Sequence, residues 1–237
     1  MQRFFIDEKL IEKTTLKLSK DIEHQCKHVL RYKNNQIIEL IDAYQNKACV
    51  KCEFKEEGLF VNIDKVEHVE EDGVKITLIQ ALIKKDKWEF VLQKATELGV
   101  FQIIPLNVSR NVVKWEQKEI ESKLKRDQKI IQEAAEQCER TSCPKLYAPI
   151  NIKELDLFKS ELNFVAYEDE TQSQLKHCLE SKQTVSIVVG PEGGFTIDEI
   201  GQLNQMGFKS VSLGKRILRA ETASLVCINT IQNIIEP

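Results

Sequence analysis

The sequence predicts an α/β protein with two domains. Residues 34–72 alternate between apolar and polar side chains in short runs separated by turn residues, which indicates a small β-barrel or sheet. From residue 74 onward, apolar runs of strand length alternate with amphipathic segments of helical spacing, which predicts a mainly parallel sheet covered by helices. The acidic segment Glu70–Gly73 marks the boundary between the two patterns.

In the first domain the pattern predicts a helix followed by three strands. The helix is expected at Asp21–Tyr32 and the strands at Gln36–Ile41, Lys47–Phe54 and Leu59–Ile63. Cys49 and Cys52 form a C-x-x-C pair, but a spacing of three in a strand places the two thiols on opposite faces. Cys52 then shares the core face, so this pair predicts one core thiol and one surface thiol rather than a metal site. The odd total of seven cysteines indicates reduced thiols.

In the second domain the predicted strands and helices alternate. Strands are expected at Val74–Ala81, Phe101–Leu106, Asn163–Tyr167, Thr184–Val189 and Ser210–Leu213. Helices are expected at Trp88–Leu98, Glu116–Arg140, Ile197–Met206 and from Ala220 onward. Gly99 closes the first of these helices, and Thr196 and Glu199 have the spacing of a capping box at the start of the third.

The charge and hydropathy of the chain limit the functions it can have. The 237 residues carry a formal net charge of -3, which argues against a protein that binds nucleic acid by bulk electrostatics. Basic residues nevertheless exceed acidic ones in residues 1–33, and the reverse holds in residues 34–72. No apolar run approaches the roughly 20 residues that cross a bilayer, and the N-terminus lacks the profile of a signal peptide. We therefore expect a cytoplasmic protein.

Two loops at predicted strand ends contain the residues of functional interest. The first, Gly190–Gly194, has three glycines that let a ligand approach the backbone, but it lacks both the P-loop and the G-x-G-x-x-G patterns. Taken alone, such a loop is more typical of a turn than of a binding site. The second loop reads SLGKRILRAETA, from Ser212 to Ala223, and parallel strands bring both loops to the same edge of the sheet. Within it, Glu221 also fits a carboxylate at a helix start, and Arg219 a surface ion pair.

These loops also resemble the motifs of a known family. GPEGGFTIDE and SLGKRILRAETA, with WEFVLQKATELGVFQIIPL and IIQEAAEQCER upstream, resemble the ribosomal small-subunit methyltransferase E family of the SPOUT superfamily. The resemblance implies a PUA-like RNA-binding β-barrel domain at residues 1–72 and a SAM-binding α/β domain with a C-terminal trefoil knot at residues 73–237. It also implies a homodimer with the active site at its interface. The implied reaction is methylation of N3 of one uridine of 16S rRNA in the small ribosomal subunit, with S-adenosyl-L-methionine as the cofactor.

The resemblance assigns roles to individual residues. The expected cofactor-binding residues are Tyr167, Gly190, Pro191, Glu192, Gly193, Gly194, Leu213, Gly214, Ile217 and Leu218. Arg219 is expected to stabilise the negative charge that develops on uracil when N3 loses its proton, and Glu221 to hold or orient Arg219. Neither loop contains histidine, so no general base is assigned.

The sequence also contains candidate contacts to RNA phosphate and a pair of histidines. The candidate phosphate contacts are Arg3, Arg31, Lys94, Arg110 and Arg140, and for each of them a solvated or ion-paired surface charge is the alternative. His24 and His28 lie four residues apart on the predicted helix, a spacing that could bind a metal, but no third ligand is near in the sequence. The resemblance also implies no metal, so we expect structural or RNA-facing roles for these histidines and no metal site.

Two other functions stay open. One is a related knotted methyltransferase that acts on tRNA, which the N-terminal position of the small β-domain disfavours. The other is a non-catalytic RNA-binding or ribosome assembly factor, which the presence of both loops with Arg219 and Glu221 disfavours.

Overall fold

A computed structural model describes residues 1–235, which fall into two compact units. The first unit comprises Met1–Glu71 and Ala135–Cys143, and the second comprises Asp72–Ala134 and the described chain from Pro144 on. The sequence placed the segment Ala135–Cys143 in the second domain, whereas the structure places it in the first unit. Residues 236 and 237 of the predicted second domain lie outside the described residues.

The first unit is built on a six-stranded sheet. Its strands are β1 (Gln2–Ile6), β2 (Thr14–Lys17), β3 (Ile37–Asp42), β4 (Asn46–Lys55), β5 (Gly58–Ile63) and β6 (Glu67–His68). They lie in the order β1-β3-β4-β5-β2, with β6 on β4; β1 and β3 run parallel and the other pairs antiparallel. The three predicted strands are confirmed as β3, β4 and β5. The sequence missed β1, β2 and β6, of which β2 and β6 are short and mostly exposed, so they carry little alternation.

The predicted helix of this unit ends earlier than expected. Helix α1 (Lys20–His24) is capped at its N-terminus by Ser19, whose Oγ accepts a hydrogen bond from the backbone N–H of Ile22, and it continues as a π-helical turn at Gln25–Val29. The core beneath it contains Cys52, which is fully buried, while Cys49 is exposed, as the strand spacing predicted. A hydrogen bond with Cys52 and burial together raise the pKa of the Cys26 thiol, so this thiol stays protonated.

The second unit contains a seven-stranded sheet in which all pairs are parallel. Its strands are β7 (Lys75–Ala81), β8 (Gln102–Asn107), β9 (Lys145–Leu146), β10 (Ile150–Asn151), β11 (Leu162–Ala166), β12 (Thr184–Val189) and β13 (Lys209–Val211). They lie in the order β10-β8-β7-β12-β11-β13, with β9 on β8. The predicted α/β class and parallel sheet are confirmed. The two-residue strands β9 and β10 were not predicted.

Helices cover this sheet, and their ends follow the local signals in the sequence. They are α2 (Lys85–Glu97), α3 (Ile120–Gln137), α4 (Leu175–Cys178), α5 (Ile197–Gln205) and α6 (Ala220–Ile235). After α2, Gly99 adopts a φ of 79°, as expected of a closing glycine. At the start of α5, the N–H of Glu199 donates to Thr196 Oγ1 and the N–H of Thr196 donates to Glu199 Oε2, at 3.2 and 2.8 Å, which confirms the capping box. The helix expected at Glu116–Arg140 is shorter, because Gln117–Glu119 forms a 3₁₀ turn and α3 ends at Gln137.

The parallel arrangement decides where the loops of interest lie. Because β11, β12 and β13 run in the same direction, the loops that follow them emerge at one edge of the sheet. Helix α6 then packs against α2, β7 and β12. Among residues 1–235, no helix combines the length and the apolar character that a bilayer crossing requires.

Candidate functional site

A cavity of about 360 Å³ opens at this edge, among the loops that follow β11, β12 and β13. Its volume is in the range of sites that bind small molecules and cofactors. Val189, Leu213 and Leu218 contribute apolar wall, and Glu168 and Glu192 contribute carboxylates. Of the residues predicted to bind the cofactor, those that line the cavity are Tyr167, Gly190, Pro191, Glu192, Gly194, Leu213, Gly214, Ile217 and Leu218. The structure therefore brings together two segments that are about twenty residues apart in the sequence.

Gly193 is the predicted cofactor residue that does not line the cavity. It faces Arg110, whose Nη1 donates to the carbonyl oxygens of Gly193 at 3.0 Å and Phe195 at 3.2 Å. A Cβ on Gly193 would lie 3.3 Å from the Cβ of Arg110, so a larger residue would crowd this contact. Arg110, predicted to contact RNA phosphate, thus braces the first loop through its backbone.

Gly194 permits a second close approach. Its φ of 66° lies in the left-handed region, and its N–H donates to the carbonyl of Pro191 at 3.0 Å. A Cβ at this position would collide with the carboxylate of Glu168, which lines the cavity. Glycine therefore favours the backbone conformation here and leaves room for the carboxylate of Glu168.

Lys87 links the two loops electrostatically. Its Nζ lies 3.3 Å from Glu192 Oε1 and 3.5 Å from Glu221 Oε2, and its side chain lines the cavity. Burial alone would raise the pKa of Glu192, but hydrogen bonds from backbone N–H groups, including that of Lys84, and the contact with Lys87 lower it. The sequence did not identify Lys87, because nothing in its spacing distinguishes it from the lysines at positions 84 and 85.

The carbonyl group of Gly190 is hydrogen-bonded to the first of two linked, buried polar side chains, which the sequence analysis also did not identify. Gln80 Nε2 donates to the carbonyl oxygens of Ala81 at 3.0 Å and Gly190 at 3.3 Å. Ser224 Oγ donates in turn to Gln80 Oε1, and both side chains are fully buried. The signal that could have found them is a polar residue in an apolar strand, because a buried polar group needs a partner.

Arg219 and Glu221 occupy different surroundings. Arg219 is exposed and lines the cavity, and within residues 1–235 its guanidinium makes no ion pair. Glu221 does not line the cavity. Its Oε2 is buried and accepts no hydrogen bond from the described part of the chain, and Lys87 is its charged neighbour at 3.5 Å. The expectation that Glu221 holds Arg219 is therefore corrected: the carboxylate of Glu221 faces Lys87.

Two of the five predicted RNA contacts are buried, so they need correction. Arg3 is 7% exposed, pairs with Glu39 and donates to the backbone carbonyls of Glu139 and Arg140. Arg140 is 8% exposed and forms a bidentate pair with Glu71 at 2.9 and 2.8 Å. Both guanidinium groups are used inside the first unit, so neither is available to phosphate.

The other candidates differ in how freely they can act. Lys94 pairs with Glu97 at 2.7 Å one turn along α2, and Arg110 is engaged with the first loop as described. Arg31 is exposed, has a φ of 55° and makes no ion pair among the described residues. Of the five, Arg31 is thus the one that could contact phosphate without giving up an internal partner.

The cavity suits the predicted cofactor chemically. The apolar side chains of Val189, Leu213 and Leu218 suit an adenine face, and the carboxylate of Glu168 suits hydroxyl groups or positive charge. Glycine-rich backbone next to these groups leaves room for a ligand to approach peptide N–H and C=O groups.

Known proteins match the chain over nearly its whole length. The family model of the RNA methyltransferase domain matches residues 70–232. Ribosomal RNA small subunit methyltransferase E of Mesomycoplasma hyopneumoniae is 35% identical and covers 95% of this chain and 96% of its own. The protein of the same name from Bacillus subtilis is 31% identical and covers 98% and 96%.

Solved structures agree with these matches. Ribosomal RNA small subunit methyltransferase E of Neisseria gonorrhoeae, bound to S-adenosylmethionine, is 31% identical, has a TM-score of 0.89 and covers 98% of this chain and 97% of its own. A Legionella pneumophila protein solved with S-adenosylmethionine is 29% identical, has a TM-score of 0.90 and covers 98% and 96%. The cofactor predicted from the sequence is the one bound in both. This chain is an RNA methyltransferase that belongs to the ribosomal RNA small subunit methyltransferase E family.

Proposed function

We propose that this protein methylates N3 of a specific uridine in the 16S rRNA of the small ribosomal subunit. The observation that carries the proposal is the cavity of cofactor size with Arg219, a cation without an ion pair among the described residues, on its wall. The names of the matched relatives support the small-subunit rRNA as the substrate. Such a substrate also implies a cytoplasmic location.

The chemistry of uracil explains why an unpaired arginine is useful. N3 of uridine carries a proton and becomes a good nucleophile only after that proton leaves, when negative charge spreads over N3 and the neighbouring carbonyl oxygens. Arg219 stabilises this charge, because a guanidinium donates in a fork to two oxygen or nitrogen acceptors. When bound, S-adenosylmethionine supplies an electrophilic methyl group.

The residues around the cavity hold its wall in place. Lys87 Nζ lies 3.3 Å from Glu192 and 3.5 Å from Glu221, so both carboxylates have a cation other than Arg219. Gln80 and Arg110 hold the first loop by its carbonyl groups, so that its wall is preformed. The N3–H bond breaks and the proton passes to solvent. N3 would then form its bond to the methyl carbon as the bond between that carbon and the sulfonium sulfur breaks, with the neutral thioether as the leaving group.

We further propose that the second domain is knotted and that residues 1–72 form a PUA-like RNA-binding barrel. The path of the C-terminal segment supports the knot. After β13 at the sheet edge, the N–H of Ser212 donates to Ser173 at 2.8 Å and its carbonyl accepts from Leu175 at 3.0 Å, alongside the connection between β11 and β12. The chain then returns through α6 to β7 and β12 in the middle of the sheet.

A homodimer completes the proposal. Ile217 is 85% exposed while it lines the cavity, and such an apolar side chain is well placed to be covered by a second subunit. Sedimentation equilibrium at micromolar concentration tests this, and a result with monomer alone would contradict it.

The reaction is tested by transfer of labelled methyl from S-adenosylmethionine to undermethylated small subunits, naked 16S rRNA and bulk tRNA, followed by nucleoside mass spectrometry. We expect label in 3-methyluridine with subunits as substrate. Label in tRNA alone, or in another nucleoside, would refute the proposal. Cofactor binding without transfer to any of the three would leave the fold and cofactor standing and reject the substrate.

A further inference from the structure

We propose that a second cavity in this unit binds a single-stranded nucleotide of the substrate RNA, next to the uridine that enters the first cavity. The second cavity has a volume of about 860 Å³ and is lined by residues that follow β8 and β10, including Ser109, Asn111, Lys153 and residues of α5. Because β8 and β10 run parallel to β12, both cavities open at the same edge of the sheet. The choice of RNA as the ligand rests on the proposed function.

One wall connects the two cavities. Arg110 lies between Ser109 and Asn111 of the second cavity, and it holds the carbonyls of Gly193 and Phe195 in the loop of the first. An RNA strand that places a base in the first cavity therefore continues along the same edge toward the second. A neighbouring nucleotide is the group that reaches it.

Among the described residues, an acceptor of the second cavity lacks a partner. Asn111 Nδ2 donates to the carbonyl of Leu106 at 3.1 Å, but Asn111 Oδ1 is buried and no group within residues 1–235 donates a hydrogen bond to it. The carboxylate of Glu199 already accepts from the N–H groups of Ser109 and Thr196, at 2.7 and 2.8 Å. A ligand with an N–H donor, such as the edge of a nucleobase, would satisfy Asn111.

The lining also supplies positive charge for phosphate and an aromatic ring for base stacking, the other two features that binding of single-stranded RNA requires. Lys114 and Lys153 are exposed and make no ion pair within residues 1–235, so they are free to contact phosphate. Trp115 is half-buried: its ring packs edge-to-face with that of Trp88 at 6.0 Å between centroids, and Lys123 Nζ lies over it at 5.5 Å from the centroid. A base stacks on this indole in place of the Lys123 ammonium, which is also ion-paired with Glu119.

The first test removes the two lysines. The variant Lys114→Ala/Lys153→Ala is compared with Lys118→Ala/Lys159→Ala, whose lysines are ion-paired with Glu116 and Asp156 and do not line the cavity. For methylation of undermethylated small subunits, we expect KM to rise about tenfold in the first variant, since two phosphate contacts are lost, while kcat stays within about twofold. The slope of log KM against log salt should fall by about 1.4, because each phosphate contact on a single strand contributes about 0.7. The control should behave as the native protein.

A second test does not depend on activity. The chain has two tryptophans, of which Trp88 is buried and the cofactor cavity contains neither, so fluorescence quenching reports on Trp115. We expect a short single-stranded RNA of mixed sequence to quench this fluorescence, and the lysine variant or Asn111→Ala to weaken its binding at least fivefold.

The outcomes separate the two proposals. Methylation by the native protein with equal KM for the lysine variant and its control would overturn the nucleotide site and leave the function intact. Quenching that the lysine variant weakens, without methylation of any RNA, would support the site and reject the function. Absence of quenching in the native protein would overturn the site whatever the activity.

Discussion

Replacing Gly194 by alanine separates backbone strain from a defect in cofactor binding. The residue has a φ of 66°, a conformation that costs an L-residue about 1–2 kcal/mol, so Gly194→Ala should lower the free energy of unfolding by that amount. The new Cβ would also displace the carboxylate of Glu168 from the cavity wall. If that carboxylate accepts a hydrogen bond from the cofactor, its loss costs about 1.5–3 kcal/mol, which is a rise of about ten- to a hundredfold in Kd.

Two other glycines provide matched controls. Gly207 has a φ of 88° but no atom within 4 Å of its Cβ position, so Gly207→Ala should lose the same stability and bind the cofactor normally. Gly201 lies inside α5 with open space around it, so Gly201→Ala should gain up to about 1 kcal/mol. Urea unfolding and calorimetric titration with S-adenosylmethionine measure both quantities. The reasoning is refuted if Gly194→Ala binds the cofactor as tightly as Gly207→Ala.

Three further predictions concern charged residues. Burial would raise the pKa of Glu199, but hydrogen bonds from backbone N–H groups lower it. The ionised carboxylate therefore stabilises the fold at pH values above the unfolded pKa of 4.5, and this stabilisation is lost as the pH falls through the folded pKa. Glu199→Gln should therefore cost about 1.5–3 kcal/mol in urea unfolding at pH 7, with a difference from the native protein that shrinks in acid. Arg219→Ala should abolish methyl transfer with little change in the Kd of the cofactor. The control Arg216→Ala, which changes a neighbour in the same loop, should retain methyl transfer. Near-normal turnover of Arg219→Ala would remove Arg219 from the mechanism. Arg3→Ala should lower the free energy of unfolding by about 3 kcal/mol, because it leaves the buried carboxylate of Glu39 with Lys47, at 3.7 Å, as its remaining cation. An effect no larger than that of exposed Arg31→Ala would contradict this structural role.

Local patterns were sufficient to predict the elements that carry the site. The apolar run of β12, the glycines that follow it and the capping box at Thr196 are all signals within about a dozen residues. Because strands of one parallel sheet end at the same edge, these signals also predicted that the loops containing Gly190 and Leu213 would lie at one edge. That both residues line one cavity there was implied by the family resemblance.

Contacts between distant residues were beyond such reasoning. Lys87 lies in α2 and contacts Glu192 in the first loop and Glu221 in α6, and no periodicity in the sequence predicts these contacts. Arg3 and Arg31 looked alike as basic residues near the N-terminus, yet Arg3 is buried because a carboxylate and two carbonyl groups surround its guanidinium. Burial of a charge depends on partners that the fold supplies, so composition alone could not separate the two.

The membership of Ala135–Cys143 in the first unit has a consequence for synthesis on the ribosome. Arg3 donates to the carbonyl groups of Glu139 and Arg140, and Glu71 accepts from the side chain of Arg140, so these contacts form only after residue 140 has been synthesised. The N-terminal unit therefore cannot reach its final state when residue 71 leaves the exit tunnel, but only after a further stretch of about seventy residues has emerged. During that interval Arg3 has Glu39 but lacks its two carbonyl acceptors, and Glu71 lacks Arg140, so nascent chains stalled before residue 143 should be more sensitive to proteolysis.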